Sequence, residues 1–408
     1  MLKKAFGARI PILALSFVLG LNLPRSFSLL ALICVVTLLV FRADLKSCSR
    51  EWVIWLSMLL LGLFGIAYTI RQLQLGVWTW HGKMFSDAAT FSLLPMACLS
   101  SGWLWGRRCR NPLIGTQLLI AFALGGLVYV SLGLLFSREP WWNLTEIFTS
   151  SITVPWGDSG MAAQNVRSVE QRAYAALAFV AVIPWLFWFK PMGWSAKVLA
   201  CFGLCAWGGY VVWSLNSTKL MLFVVFVALL PCLHMLPRRR FRLITVSLLG
   251  LLVTFLVFTK RICDERLYMQ IGFIKHIQDH PWGGRQIHFP FAGCPGQPPR
   301  IFGPPRNLFT LPHNIFLDQI NDVGIIPAFF LLASCAFLLV ALLRGFSANA
   351  NLNDWGPCLA LRWGLLACIL TQALFQPFLY SDRLLFCVTF LFTGTTLAEF
   401  SLRSRRFS

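Results

Sequence analysis

The chain has 408 residues, of which 57% are hydrophobic and only 12% are charged. A soluble protein typically carries about 25% charged residues, so this chain could not cover a globule of its size with polar surface. A mean hydropathy of +0.70 excludes a disordered chain as well. The composition therefore predicts an all-α polytopic integral membrane protein.

The charges are strongly unbalanced, with 35 Lys and Arg against 15 Asp and Glu and a formal net charge of +20. In a soluble domain such an excess would indicate nucleic acid. Here the basic residues stand in short clusters between apolar runs, which is typical of the loops that orient membrane helices. We therefore expect the chain to contact membrane lipid and not nucleic acid.

Apolar runs of about 20 residues are long enough to cross the hydrocarbon core of a bilayer, and about twelve can be marked. They lie near 6–22, 27–41, 52–70, 85–105, 113–137, 172–189, 198–213, 219–236, 241–259, 314–343, 357–379 and 383–400. The first run follows Lys3 and Lys4. We expect a retained anchor there, because no small-residue cleavage site follows it.

The basic residues also predict the orientation of the spans. With a cytoplasmic amino terminus, 20 Lys and Arg fall on the inner side and five in the short outer loops. The positive-inside rule therefore predicts that both termini are cytoplasmic. The chain then divides into spans 1–9 over 1–259, with an outer segment near 138–171, a large outer loop over 260–312, and spans 10–12 with a cytoplasmic tail over 313–408.

The large outer loop is rich in proline, which predicts a mostly irregular segment. Its beginning differs, because Leu267, Ile271, Ile274 and Ile277 recur at helical spacing. We expect an amphipathic helix there that lies at the outer membrane interface and ends near Pro281.

Two cysteines in polar sequence, Cys263 and Cys294, enclose part of the same loop. In an oxidising compartment a disulfide between them would stabilise the fold by a few kcal/mol. Two free thiols are the alternative, and the sequence does not decide between them.

Polar residues stand at the outer ends of three predicted spans. They are Ser217-Thr218-Lys219, Asp264-Glu265-Arg266 and Pro312-His313-Asn314. Taken singly, Lys219 suits a snorkelling anchor, Arg266 a solvated charge network and His313 a helix cap. Taken together, two cations and an imidazole at one membrane face suit a phosphate-bearing substrate, because the cations hold the anion while the histidine moves a proton.

Other residues could extend this site. Arg172 opens the sixth span, and Arg167 precedes it in a polar stretch. Trp282 could stack on a bound substrate or belong to the aromatic belt at the membrane interface. Asp318 and Asp322 could orient the imidazole of the histidine, or simply suit the positive end of a helix. The outer segments contain no Asp-x-Asp pair or Glu/His cluster, so neither a metal nor a cofactor is expected.

One segment begins with His313-Asn314, continues for nine residues and ends at Gly324. It resembles the outer-loop signature of the lipopolysaccharide O-antigen ligase family, which is related to the O-antigen polymerases. The segments around it follow in the family's order. They are Arg266-Leu-Tyr-Met-Gln-Ile-Gly-Phe-Ile, His280-Pro-Trp-Gly-Gly and Leu311-Pro-His-Asn-Ile-Phe-Leu, with Ser217-Thr218-Lys219 opening an earlier span. Two positions depart from the pattern, since residue 327 is Pro where Thr, Tyr or a small residue is usual, and residue 219 is Lys where Arg is usual.

The resemblance implies an inverting, membrane-embedded glycosyltransferase with a fold like that of the type C glycosyltransferases. The donor would be a glycan on undecaprenyl diphosphate at the periplasmic side of the bacterial inner membrane. The acceptor would be the lipid A-core in a ligase, or another lipid-linked glycan in a polymerase. Within this resemblance His313 matches the general base, and Arg266 and Lys219 match the cations that hold the diphosphate.

Four further residues are expected to bind substrate: Arg172, Asn314, Arg167 and Trp282. A transporter of lipid-linked sugars is the alternative from another functional class. Transporters tend to carry ionisable residues near the bilayer midplane, whereas here the polar groups gather at one face.

Overall fold

A computed structural model describes residues 2–23, 25–42, 51–76, 88–109, 114–137, 193, 195–196, 199, 203, 265–284, 289–290, 308–309, 314–349 and 383–407. Over these residues the protein is almost entirely helical. The helices are α1 (Leu2–Gly20), α2 (Ser26–Val40), α3 (Trp52–Gln74), a π-helical turn (Ala89–Leu93), α4 (Leu94–Cys109), α5 (Ile114–Ser137), α6 (Glu265–His276), α7 (Ile315–Val323), α8 (Ile325–Asn349) and α9 (Arg383–Phe407). Two short strands, β1 (Phe289–Pro290) and β2 (Leu308–Phe309), pair antiparallel.

Three of these helices are long and apolar enough to cross a membrane, which confirms the membrane-helix character predicted from composition. They are Trp52–Gln74, Ile325–Gly345 and Arg383–Leu402. Shorter apolar stretches cover Ile10–Gly20, Ser26–Val40 and Gln117–Tyr129. Each of the six coincides with a predicted span. The predicted spans at 172–189, 198–213, 219–236, 241–259 and 357–379 fall outside the described residues apart from isolated positions in the second of them.

Helices α3 and α8 pack side by side and run antiparallel. The rings of Trp52 and Phe337 meet edge to face with centroids 5.7 Å apart. Five residues further along α3, the carbonyl of Ser57 accepts a hydrogen bond of 3.1 Å from the hydroxyl of Ser334, three residues back along α8. The end of α3 and the start of α8 therefore lie together. We call this the outer end of the bundle, because the predicted topology assigns both to the outer face.

Glycines allow α4 and α9 to pack in parallel with their backbones in contact. A Cβ atom at Gly102 would collide with the carbonyl of Leu391, and one at Gly106 would lie 2.6 Å from the Cβ atom of Ala398. Small residues of this kind let membrane helices approach closely, so that dispersion contacts hold them together without a hydrophobic driving force.

Helix α1 packs in parallel with α5, and the hydroxyl of Ser16 donates to the carbonyl of Leu118 at 2.7 Å. The predicted topology has successive spans crossing the membrane in alternating directions. In it spans 1 and 5 (α1 and α5) run in the same direction, as do spans 4 and 12 (α4 and α9), whereas spans 3 and 10 (α3 and α8) run in opposite directions. All three helix pairs agree with that alternation.

The predicted tenth span at 314–343 was wrong in one respect, because the structure divides it at Gly324. This glycine has a φ of +92°, which ends α7 and starts α8 in a new direction. The residues before the break include Asp318, Gln319, Asn321 and Asp322, so the apolar run proper begins only at Ile325, where α8 starts. Pro327 lies in the first turn of α8, where no backbone N–H is needed for the helix.

The other end of the chain also differs from the expectation. The last predicted span ended at residue 400, but α9 continues as one helix to Phe407 through the basic residues that were assigned to a cytoplasmic tail. The amphipathic helix expected in the outer loop is confirmed as α6, which ends at His276 and is followed by turns up to Asp279.

A buried carboxylate ties α9 to α5. Glu399 has no exposed surface. Its Oε1 atom accepts a hydrogen bond of 2.5 Å from the backbone N–H of Gly115, in the first turn of α5. The first N–H groups of a helix have no partner within it, and their partial positive charge favours an anion. The carboxylate thus caps the start of α5, although it is 284 positions away in the sequence.

Glu399→Ala is expected to lower the free energy of unfolding by about 1–3 kcal/mol, because it leaves a buried N–H without its acceptor. Glu399→Gln keeps a carbonyl oxygen at the same position of the side chain and is the matched control. It should lower the free energy of unfolding by less than the alanine variant does. Thermal unfolding of both variants in one detergent would measure the difference. Equal stability of the alanine variant and the wild type would contradict this role.

Candidate functional site

The residues assigned to catalysis lie in different parts of the chain, and the structure describes them unequally. His313, Lys219, Arg172 and Arg167 lie outside the described residues. Arg266 is the second residue of α6, and only its backbone is described. The predicted convergence of His313, Arg266 and Lys219 therefore stays a prediction. The surrounding segments are described and can be compared with the signature.

Asn314 begins α7 and acts as its cap. Its Oδ1 atom accepts hydrogen bonds from the backbone N–H groups of Phe316 at 3.0 Å and Leu317 at 3.3 Å. Its backbone is extended, as expected for a residue just before a helix. The capping role considered for His313 thus belongs at least in part to its neighbour. Asn314 fixes where α7 starts, directly after the proposed base, and its substrate contact stays a prediction.

The Pro-Trp-Gly-Gly segment forms a turn that packs against the junction of α7 and α8. The N–H of Gly284 donates to the carbonyl of Asp322, and the N–H of Ile325 donates to the carbonyl of Pro281, both at 3.0 Å. These two bonds run in opposite directions between the same two backbone segments. They hold the turn and the helix junction in one register.

Two glycines make this contact possible. Gly283 and Gly324 have φ values of +75° and +92°, which residues with a Cβ atom rarely adopt. A Cβ atom at Gly283 would lie 2.5 Å from the nitrogen of Gly324, and one at Gly324 would lie 2.9 Å from the carbonyl carbon of Trp282. The glycine that follows Asn314 after nine intervening residues in the signature therefore has a physical role, because only glycine fits between the two backbones. We call α6, the turn Pro281–Gly284 and α7 together the outer unit.

Helix α7 carries several polar side chains that are buried in the protein. Asp318, Gln319 and Asn321 have no exposed surface, and Asp322 is 4% exposed. Asp318 lies in the first turn, where a carboxylate suits the positive end of the helix. Asp322 lies in the last turn, so the helix-end interpretation does not apply to it. Burial of this many polar groups beside the predicted base is unusual for a helix that only supports structure.

Helix α6 packs against the protein through a different face from its isoleucines. Phe273 is fully buried and Gln270 is 8% exposed, whereas Ile271 and Ile274 are 43% and 52% exposed. An apolar face turned away from the protein fits the predicted position at the membrane interface. Trp282 is 58% exposed at the end of the same segment, so it can serve either as a belt residue or as a stacking surface for sugars.

Arg71, near the end of α3, joins the bundle to the outer unit. Its Nε atom donates to the carbonyl of Trp282 at 2.7 Å, and its Nη1 atom donates to Oε1 of Gln74 at the same distance. From the sequence, Arg71 was only one of the five Lys and Arg residues counted in the short outer loops, and no further role was predicted for it. Its partner is 211 positions away, and no pattern along the chain indicates such a contact.

Arg71→Ala is expected to loosen the turn Pro281–Gly284 at a cost of about 1 kcal/mol, since the bond is charge-assisted but exposed to water. Amide exchange at Gly283 and Gly284 should become faster. Gln74→Ala removes only the second contact of Arg71 and is the control, with unchanged exchange in the turn. Equal exchange in the wild type and the arginine variant would contradict the link.

Among the described residues, no group of three or more His, Cys, Asp or Glu side chains is arranged to hold a metal ion. A comparison of the chain with protein-family models and with curated proteins found no match.

Proposed function

We propose that the protein is an O-antigen ligase-type inverting glycosyltransferase of the bacterial inner membrane. It moves a glycan from undecaprenyl diphosphate to a lipid A-core acceptor on the periplasmic side. The proposal includes about twelve membrane spans, cytoplasmic termini and a fold like that of the type C glycosyltransferases. The directions of the described helix pairs support this alternation of spans.

One observation carries the proposal. Two segments of the signature are separated in the sequence by residues 285–312, namely the Pro-x-Gly turn that follows the arginine-led helix and the segment that starts with His-Asn and ends at Gly324. In the structure α6 continues through 277–280 into the turn, and the turn is hydrogen-bonded to the end of α7. A chain that resembled the signature by chance would have no reason to bring these segments into one unit.

The chemistry follows from the residues assigned by the resemblance. His313 takes the proton of an acceptor hydroxyl while the oxygen forms a bond to the anomeric carbon of the donor sugar. The bond from that carbon to the diphosphate breaks on the opposite face, which inverts the anomeric configuration. Arg266 and Lys219 stabilise the negative charge that develops on the leaving diphosphate.

The position of the base suits this role. In the sequence His313 directly precedes Asn314, whose side chain caps the start of α7. Asp318 and Asp322 follow in α7 and are buried, and a carboxylate is the usual partner that orients a catalytic imidazole. Arg167, Arg172 and Trp282 would then contact the glycan or the diphosphate.

The deciding experiment is reconstitution of the purified protein in liposomes with an oligosaccharide on undecaprenyl diphosphate. The acceptor is either lipid A-core or a second lipid-linked oligosaccharide. A ligase extends lipid A-core, and the product is detected by mass spectrometry. Extension of the lipid-linked acceptor alone would instead identify a polymerase. Movement of the unchanged donor across the membrane, with neither acceptor extended, would identify a transporter.

A further inference from the structure

We propose that the adjacent ends of α2 and α4 bind the headgroup of an anionic phospholipid, with an acyl chain of the lipid along the exposed face of α2. This inference goes beyond the proposed function and does not depend on it, because it concerns the lipid of the surrounding membrane and not a substrate. It is carried by the placement of cationic side chains at the end of an apolar helix face.

The two helices lie side by side and run in the same direction. The hydroxyl of Ser101 donates to the carbonyl of Cys34 at 3.5 Å, and Nε1 of Trp105 donates to Oγ1 of Thr37 at 3.2 Å. Later residues of α4 thus contact later residues of α2, so the two helices finish together.

The contacts of α4 with α3 show at which end of the bundle they finish. Ser92, just before α4, donates to the carbonyl of Leu61 at 2.7 Å, whereas Ser100, within α4, donates to the sulfur of Met58 at 3.2 Å. Helix α4 therefore runs antiparallel to α3, and its last turn lies opposite the outer end. We call this the inner end of the bundle, because the predicted topology assigns it to the cytoplasmic side.

Arginine side chains from both helices lie at the inner end. The guanidinium carbon of Arg108 lies 5.5 Å from the ring centre of Phe41, the residue that directly follows α2. That of Arg107 lies 5.8 Å from the ring centre of Trp103, one turn back in α4. Arg42, directly after Phe41, is exposed, as is Arg108. Attraction between a cation and an aromatic ring favours such positions, so positive charge is held where the two helices finish.

The face of α2 that points away from α4 is apolar. Its residues are Leu32, Val35, Val36, Leu39 and Val40, which are 49–67% exposed, the lowest value being that of Val36 and the highest that of Leu39. Positions 35, 39 and 42 are four and three residues apart, the spacing that places side chains on one face of a helix. The apolar face therefore leads directly to the cation of Arg42.

This arrangement is complementary to an anionic phospholipid. An acyl chain needs an apolar face that is open to the membrane, and a phosphate needs cations at the end of that face. Guanidinium groups bind phosphate through paired N–H donors, and basic pockets between membrane helices on the cytoplasmic side are typical sites for anionic headgroups. A second membrane helix would use the apolar face without the cations, and a soluble acidic protein would use the cations without the face.

The test is photolabelling of the full-length protein in phosphatidylcholine nanodiscs. One probe is phosphatidylglycerol with a diazirine on its acyl chain, and the other is phosphatidylcholine with the same diazirine, which reports ordinary contact with bulk lipid. At equal mole fraction, the phosphatidylglycerol probe should label the peptide of residues 32–42 about tenfold more, since each cation near the headgroup contributes about fivefold. Excess phosphatidylglycerol should compete, whereas inorganic phosphate should not.

The double variant Arg42→Gln and Arg108→Gln should reduce the ratio of the two labels to about one. Two single variants are matched controls. Arg25→Gln removes an exposed arginine at the opposite end of α2, and Arg344→Gln removes an exposed arginine of α8 on the inner side. Both controls should keep the ratio within about twofold of the wild type.

Equal labelling by the two probes in the wild type would overturn the proposal without the need for any variant. An unchanged ratio in the double variant, or an equal loss in either control, would overturn it as well. Competition by inorganic phosphate would identify a site for free phosphate instead of a lipid, and cross-links between copies of the chain without lipid label on 32–42 would show that a second copy covers the face. None of these measurements depends on glycan transfer, so the failure of the transferase proposal would leave this test intact.

Discussion

Replacement of His313 by alanine is expected to reduce glycan transfer by about 10²–10⁴-fold, the contribution that a positioned general base usually makes. The acceptor hydroxyl is a weak nucleophile until it loses its proton, so the reaction stalls when no group takes that proton. Donor binding should change little, because the diphosphate is assigned to Arg266 and Lys219. The liposome assay with lipid A-core measures the rate, and photolabelling with an undecaprenyl diphosphate that carries a diazirine on its chain measures donor binding.

His276 offers a matched control for this experiment. It belongs to the same outer unit, its side chain is 53% exposed, and it pairs with Asp279 at 3.6 Å. His276→Ala removes an imidazole from α6 and leaves α7 unchanged, so transfer should continue at nearly the wild-type rate. Equal loss in both variants would point to a general disturbance of the outer unit, and retained transfer in the His313 variant would reject the base.

Gly324→Ala is expected to separate the turn Pro281–Gly284 from the helix junction and to inactivate the protein. The backbone conformation alone costs about 1–3 kcal/mol for a residue with a side chain. The added Cβ atom would also lie within 3.0 Å of three backbone atoms of Pro281 and Trp282. Backbone cannot move aside as a flexible side chain can, so the turn must leave its place. Amide exchange at Gly284 and Ile325 would report the loss of both hydrogen bonds.

Gly76 separates the two causes. It also has a positive φ, of +65°, but a Cβ atom there would meet nothing within 4 Å. Gly76→Ala therefore carries only the conformational cost. The difference in unfolding free energy between the two alanine variants measures what the close approach of the backbones contributes. If the two variants lose equal stability and Gly284 stays protected in both, the packing argument for Gly324 is wrong.

The sequence predicted the helices well where hydropathy alone determines them. The apolar runs at 27–41, 52–70 and 113–137 have the same location as α2, α3 and α5, because a continuous run of that length has few alternatives in a membrane. Helical spacing of isoleucines was enough to predict α6. The break at Gly324 was not predicted, because the polar residues of α7 were included in the apolar span and hydropathy does not report the φ of a single glycine.

The tertiary contacts could not be predicted from the sequence. Periodicity identifies which segments are helical and which face is apolar, but it does not identify the partner of a side chain hundreds of positions away. The bonds from Arg71 to Trp282 and from Gly115 to Glu399 are of this kind. The candidate site was predicted through a resemblance between short motifs. The structure brings the described part of those motifs together, and the approach of Lys219 and His313 to Arg266 stays a prediction.

The close packing of α4 on α9 has a consequence for biosynthesis. Gly102 and Gly106 present bare backbone to a helix that leaves the ribosome after every other described helix. Until α9 is synthesised, these surfaces and the first turn of α5 lack the contacts that α9 supplies. We therefore expect the earlier helices to form a partial assembly first, which the packing of α9 then completes.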